Sequence, residues 1–221
     1  MATKRRTTKA ADAPPPILLR GTPRHLDATV SVTNEGDRAV TVRSATVRGP
    51  DVRTTTARVG ARLAAGSTGT VPVSVSLPAS TAPGSYPVEL EVAGVARDAV
   101  LQVEADLDLR ISPSRLLAQR GQQPLSVRIT NAGNVSVPIA SVLRARLWTN
   151  GVVGDLDVEV GLDSPVTVEP GVTVDATGHV SVPDDLDPTR RHQARIPVGT
   201  ATLVVVVLPS DEKPTTARKS R

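Results

Sequence analysis

Apolar and polar side chains alternate along most of this chain, and the alternation predicts strands. Leu26, Ala28, Val30 and Val32 fall on one face of residues 26–33, with Asp27, Thr29, Ser31 and Thr33 on the other; Val71, Val73, Val75 and Leu77 do the same over 70–77. A period of two held over eight residues is that of a strand with one face buried. The same reading predicts strands over 39–47, 86–92, 99–104, 125–130, 137–147, 155–160, 166–168, 174–182 and 200–208, with Gly, Pro and Asn between them at sandwich-like spacing. No stretch carries a helical period of useful length, so the expected class is all-β.

A diverged repeat divides the pattern in two. Val30-Ser31-Val32-Thr33-Asn34-Glu35-Gly36-Asp37 matches Val127-Arg128-Ile129-Thr130-Asn131-Ala132-Gly133-Asn134 at an offset of 97. Gly66 with Val71–Pro78 matches Gly171 with Ala176–Pro183 at an offset of 105. The offset grows by 105 − 97 = 8, so the second copy carries eight inserted residues, expected near 148–163, a segment without a partner in the first copy. Both copies read strand, Thr-Asn-x-Gly, strand. Asn and Gly there are expected to supply the left-handed backbone of a hairpin turn. The reading gives an arm over 1–16, one domain over 17–105, a second over 106–208, and a tail over 209–221.

These residues resemble the bacterial immunoglobulin-like domains of the NEW3 and CARDB type. In those domains an early strand ends in Thr-Asn-x-Gly, an Ala-Gly or Pro-Gly turn precedes an alternating strand, and a turn bearing Pro, Gly and Tyr leads into the closing strands. The first copy has Thr33-Asn34-Glu35-Gly36, Ala65-Gly66 and Ala82-Pro83-Gly84-Ser85-Tyr86. The second has Thr130-Asn131-Ala132-Gly133 and Pro170-Gly171, with Pro188-Thr189-Arg190-Arg191-His192 in place of the last motif. The resemblance implies two tandem immunoglobulin-like β-sandwich domains used as spacer, scaffold or adhesion module, and it brings no catalytic residues.

Composition narrows the core and the chemistry. Among 221 residues there is no Phe or Cys, one Trp (Trp148) and one Tyr (Tyr86), so the core must be aliphatic and no disulfide or Cys-bound metal is available. Residues 1–12 carry four cations against one carboxylate and 209–221 four against two; of the net +4, the termini hold +5 and the body −1. Arg20 breaks the apolar run Ile17-Leu18-Leu19, and 203–208 is far shorter than the roughly 20 apolar residues that span a bilayer, so a cytoplasmic protein without a membrane span is expected. The termini are too polar and Pro-rich to offset the entropy of ordering, and disordered basic ends are expected.

Candidate chemistry is sparse. No Gly-x-Ser-x-Gly occurs, and His25, His179 and His192 sit in a strand start, a strand interior and a loop, so no catalytic residue, cofactor or metal is expected. Asp175, Asp184, Asp185 and Asp187 lack calcium-loop spacing and read as a solvated acidic turn. Asp155, Asp157 and Glu159 alternate and read as the wet side of a strand. Candidate partner contacts lie in the second domain: Trp148, expected to plug its core or else to anchor an interface, and Arg190, Arg191, His192 and Arg195, expected to grip an acidic partner or pair with Asp184–Asp187. Lys4, Arg5, Arg6, Lys9, Arg218, Lys219 and Arg221 are candidates for weak, salt-sensitive contact with nucleic acid or an anionic membrane surface. Three functions follow: a non-catalytic scaffold or spacer in a larger protein assembly, an anionic-surface binder acting through its termini, and a hydrolase accessory domain.

Overall fold

The computed structural model describes residues 15–209. Its elements are all strands, and they form two compact units: one holds the described residues up to Leu77 with Gly84–Glu104, the other Pro78–Pro83 with Ala105 onward. No helix among the described residues is long and apolar enough to cross a membrane.

In the first unit, β1 (Ile17–Thr22), β2 (His25–Thr33), β3 (Val40–Arg48), β4 (Thr55–Leu63), β5 (Thr68–Val75), β6 (Gly84–Val92) and β7 (Val95–Val103) run in the order β4-β3-β6-β7-β1-β2-β5. Strand β1 joins the two layers. Its Ile17–Gly21 run parallel to β7, and Arg20–Thr22 run antiparallel to β2. Gly21 sits where both partners meet the strand, and a Cβ there would lie 2.1 Å from the His25 carbonyl oxygen. Inward positions of the alternation, including Leu19, Leu26, Val30, Val47, Val71, Leu90 and Leu101, form one buried aliphatic cluster.

The second unit repeats the plan with β8 (Leu109–Ser112), β9 (Arg115–Ala118), β10 (Gly121–Asn131), β11 (Val137–Ile139), β12 (Val142–Thr149), β13 (Val152–Leu162), β14 (Val166–Val168), β15 (Thr173–Val182), β16 (His192–Val198) and β17 (Ala201–Val207). The main sheet runs β8-β10-β15-β13-β12-β16-β17-β9, with β11 and β14 paired separately. Val40 faces Leu63 in the first unit and Val137 faces Val168 in the second, offsets of 97 and 105 that place the eight extra residues in the β12–β13 hairpin. The lengthened β13 pairs with β12 and then, through Glu159–Leu162, with β15, a contact that closes the two layers on this side. Gly178 permits it, because a Cβ there would lie 2.0 Å from the Gly161 carbonyl oxygen.

Several expectations change. The pattern missed β1, β4, β8, β9 and β16, whose Gly60, Pro197 and arginines interrupt the alternation or leave few positions to show it. The single strand expected over 137–147 is β11 and β12 in different sheets. The Thr-Asn-x-Gly motif does not act through left-handed backbone: neither Asn34, Asn131, Gly36 nor Gly133 has positive φ. Asn131 is fully buried, and its Nδ2 donates to the carbonyls of Val135 (2.8 Å) and Val168 (2.9 Å) while its Oδ1 accepts from Gly133 N–H (3.0 Å). Asn34 repeats this with Arg38 O (2.8 Å), Ala64 O (2.9 Å) and Gly36 N–H (3.1 Å). Each amide therefore ties its own turn to a loop about thirty residues on. The preceding threonines pair hydroxyls across the sheet at 2.9 Å in both units, Thr33 with Thr68 and Thr130 with Thr173.

Candidate interaction surface

The eight inserted residues make a hairpin whose outer face is the most distinctive surface of the second unit. Asn150 and Gly151, at φ 51° and 83°, form its two-residue turn; two successive left-handed residues match the twist of the flanking strands. Register shifts between Arg146 and Trp148, so three residues of β13 lie opposite one of β12. Beyond this bulge Trp148 faces Val153 on one side and Gln193 of β16 on the other.

Trp148 does not plug the core. It is 39% exposed and Val153 46%, and their side chains share the outward face. The core site next to it belongs to Leu147, 2% exposed, because the strand period gives the inward place to the residue before the indole. Farther down, Arg144 pairs with Glu159 at 2.7 Å and Arg146 stands 3.7 Å from Asp155. The face thus offers an aromatic and aliphatic tip with a self-neutralised charged base.

His192 is not a loop residue and not a surface contact. It opens β16 at 4% exposure, opposite Val207, in the place that Tyr86 holds opposite Leu101 in the first unit. Its Nε2 lies 2.8 Å from the Asp187 carbonyl, which can only accept, so this nitrogen carries a proton; Nδ1 shares a hydrogen bond with the Thr149 hydroxyl at 2.7 Å. The ring thereby pins the end of β12 to the turn before β16. Asp187 organises that turn: its Oδ1 accepts from the Thr189 hydroxyl (2.6 Å) and N–H (3.0 Å), and its Oδ2 pairs with Arg190 at 3.0 Å. The Thr189 hydroxyl first, then its N–H, and also Arg190 and His192, hold the Asp187 carboxyl below the ordinary carboxylate range. Arg190 is therefore engaged within its own turn, whereas Arg191 and Arg195 are exposed and form no ion pair among the described residues.

The structure brings together one trio that the sequence reading overlooked. His25 Nε2 is 2.8 Å from Asp27 Oδ2, and Nδ1 is 3.3 Å from Ser74 Oγ. His25 and Asp27 are two apart on β2 and Asp27 faces Ser74 on β5, a juxtaposition visible only once the register is known. The trio lies on an exposed sheet face, where backbone N–H groups point to neighbouring strands within the sheet rather than out toward a developing oxyanion. His179 is half-buried over Gly161, where a Cβ would lie 2.4 Å from its ring. Among the described residues no three His, Asp or Glu side chains converge as a metal site would require. Lys4, Arg5, Arg6, Lys9, Arg218, Lys219 and Arg221, and the expected disorder of both ends, lie outside the described residues.

Comparison with known proteins places the first unit. Residues 23–94, from just ahead of β2 to the β6–β7 turn, match the family described as NPCBM-associated, NEW3 domain of alpha-galactosidase. The first unit is similar to the NEW3 domain over these residues. The second unit repeats the strand plan of the first and its buried asparagine, with the hairpin enlarged. No curated protein matches the sequence. Among solved structures, the chain is similar to the CupB2 chaperone of Pseudomonas aeruginosa at 13% identity, covering 82% of this chain and 90% of that one, with a TM-score of 0.26. It is also similar to Titin-A168169 at 11% identity, covering 89% and 96%, TM-score 0.34. A third likeness is to the CsuC-CsuE chaperone-tip adhesion subunit pre-assembly complex of Acinetobacter baumannii, at 10% identity, 86% and 94% coverage, and a TM-score of 0.24.

Proposed function

We propose that this is a non-catalytic structural and interaction protein, two immunoglobulin-like sandwiches serving as scaffold or spacer in a larger protein assembly, which meets its partner through the β12–β13 hairpin. The observation that carries this reading is the exposed pair Trp148 and Val153 on a bulged, tightly turned hairpin. A sheet face in water is ordinarily polar, and a tryptophan set outward beside an aliphatic residue gains free energy when another surface covers it. Tryptophan is also among the residues that dominate binding energy at protein interfaces. The self-paired charges below it set a polar rim, and the exposed Arg191 and Arg195 give that rim a cationic side.

The chain has a single tryptophan, so its fluorescence reports this site alone. Capture from the native cell with the wild-type chain and with Trp148→Ala/Val153→Asp should recover a protein that the variant loses. Titrating that protein into the wild type should shift the Trp148 emission to the blue and shield it from iodide. A partner retained by the variant, with unshifted emission, would overturn the assignment.

A further inference from the structure

The two units carry the same outward strip on equivalent strands and charge it oppositely. In the first unit Leu18 of β1 lies beside Val100 of β7, and Val100 faces Pro87 of β6. In the second, Leu117 of β9 lies beside Val206 of β17, and Val206 faces Gln193 of β16. The strand period turns these side chains away from the core, where their neighbours Leu19, Leu101, Ala118 and Val207 sit. Leu18 is 53% exposed and Leu117 68%, while Val206 is buried between its neighbours, so each strip offers one leucine to solvent.

One step along the strands the charges diverge. The next outward residue after Pro87 on β6 is Glu89; the same step from Gln193 on β16 reaches Arg195. Glu89 lies directly opposite Asp98 of β7, and like charges so placed repel. Arg48 is divided between Glu89 at 3.9 Å and Glu91 at 3.2 Å, and Asp98 has no ion pair among the described residues. In the second unit Val204 lies between Arg195 and Arg115, both exposed and both without an ion pair among the described residues. An acidic pair on one unit thus matches a pair of arginines on the other, each beside an exposed leucine.

We propose that the β6–β7–β1 face of the first unit in one copy of this chain docks on the β16–β17–β9 face of the second unit in another copy, leucine strip against leucine strip, with Arg115 and Arg195 meeting Asp98 and Glu89. Opposite charge makes unlike faces attract, whereas two like faces would bring acid to acid or arginine to arginine. The contact is heterologous. A joined pair still presents one unused face of each kind, so further copies add head to tail instead of stopping at a symmetric dimer. The chain's own ends are poor occupants. Residues 1–16 and 209–221 contain no Leu, Ile, Val or aromatic residue to cover either strip, and both ends are net cationic, which Arg115 and Arg195 repel. This contact goes beyond the Trp148 hairpin and does not rest on it.

The test is sedimentation velocity on the full chain over a range of concentrations. The wild type should associate reversibly into species that grow past a dimer. Asp98→Arg and Arg195→Glu, both at exposed positions and melting like the wild type, should each stay monomeric where the wild type associates. An equimolar mixture of the two should associate again, because the native arginine face of the first meets the native acidic face of the second. A wild type that stays monomeric overturns the proposal, as does association that appears only after residues 1–16 are removed, which would make the chain's own arm the occupant of the acidic face. Association untouched by Asp98→Arg would overturn it in favour of like faces meeting, and a mixture that stays monomeric would exclude the pairing of these charges. Trp148→Ala/Val153→Asp should leave self-association intact, so the two readings fail separately: a captured partner retained by that variant refutes the hairpin alone, and a monomeric wild type refutes this contact alone.

Discussion

At the scale of single residues, the repeated Asn ties together two segments at one end of each sandwich. Asn131 has no access to solvent, so removing its amide takes this donor from the buried Val168 carbonyl and from the part-buried Val135 carbonyl. Asn131→Ala should therefore cost about 2–4 kcal/mol, read as a shift in the denaturant midpoint, and Asn131→Asp should not rescue it because a carboxylate cannot donate. A loss under about 1 kcal/mol would show that the turn is held by its backbone instead. The two glycines of the motif should behave differently. A Cβ on Gly133 would lie 2.0 Å from the Asp106 carbonyl oxygen, whereas on Gly36 the nearest atom is Asn34 Oδ1 at 3.3 Å. Gly133→Ala should thus destabilise by roughly 2 kcal/mol or more and Gly36→Ala by less than about 1 kcal/mol, in the same unfolding assay. The motif was legible in the sequence, but its mechanism was not. Asparagine in a turn reads as a conformational residue when only its neighbours are visible, and one of the carbonyls it serves is thirty or more residues away.

At the scale of elements, the long alternating strands and the eight-residue lengthening were legible because each leaves a periodic or numerical trace. The strands that went unseen carry other information: β8 and β9 are four residues each, and β16 mixes His192, Arg195 and Pro197 with its three apolar core positions. The Trp148 orientation was hidden for a related reason. Residues 147 and 148 are both large and apolar, and only the bulge and the register decide which one faces inward. The turn before β16 offers a test by pH. The native state holds the Asp187 carboxyl below its ordinary value, chiefly through the Thr189 hydroxyl and N–H. A depressed native value stabilises the fold above the unfolded-state value, about 4, and this contribution is lost as the pH falls through the native value. Asp187→Ala should accordingly lower the melting temperature at neutral pH, with the gap to wild type narrowing as the pH drops below about 4. A gap that stays constant down to pH 2 would mean that the carboxylate's charge is irrelevant to the turn.

At the scale of the whole molecule, charge separates the two ways in which this chain can meet a partner. The body carries −1 and the termini +5. On the described sheet faces several arginines are answered by carboxylates of the facing strand, as in Arg48 with Glu91, Arg128 with Asp175 and Arg144 with Glu159. A polyanion would therefore be drawn to the ends, where Lys4, Arg5, Arg6, Lys9, Arg218, Lys219 and Arg221 stand in the sequence. Contacts of that kind release counterions, and six to ten of them lose about 10³–10⁵ in affinity between 50 and 200 mM salt. An aromatic and aliphatic hairpin tip releases none. For the partner captured through Trp148, affinity measured by tryptophan fluorescence should change by less than about threefold over that salt range, and a chain lacking residues 1–16 and 209–221 should bind it equally well. A steep salt dependence that disappears with the termini would assign recognition to the basic ends and leave the exposed tryptophan without a role in it.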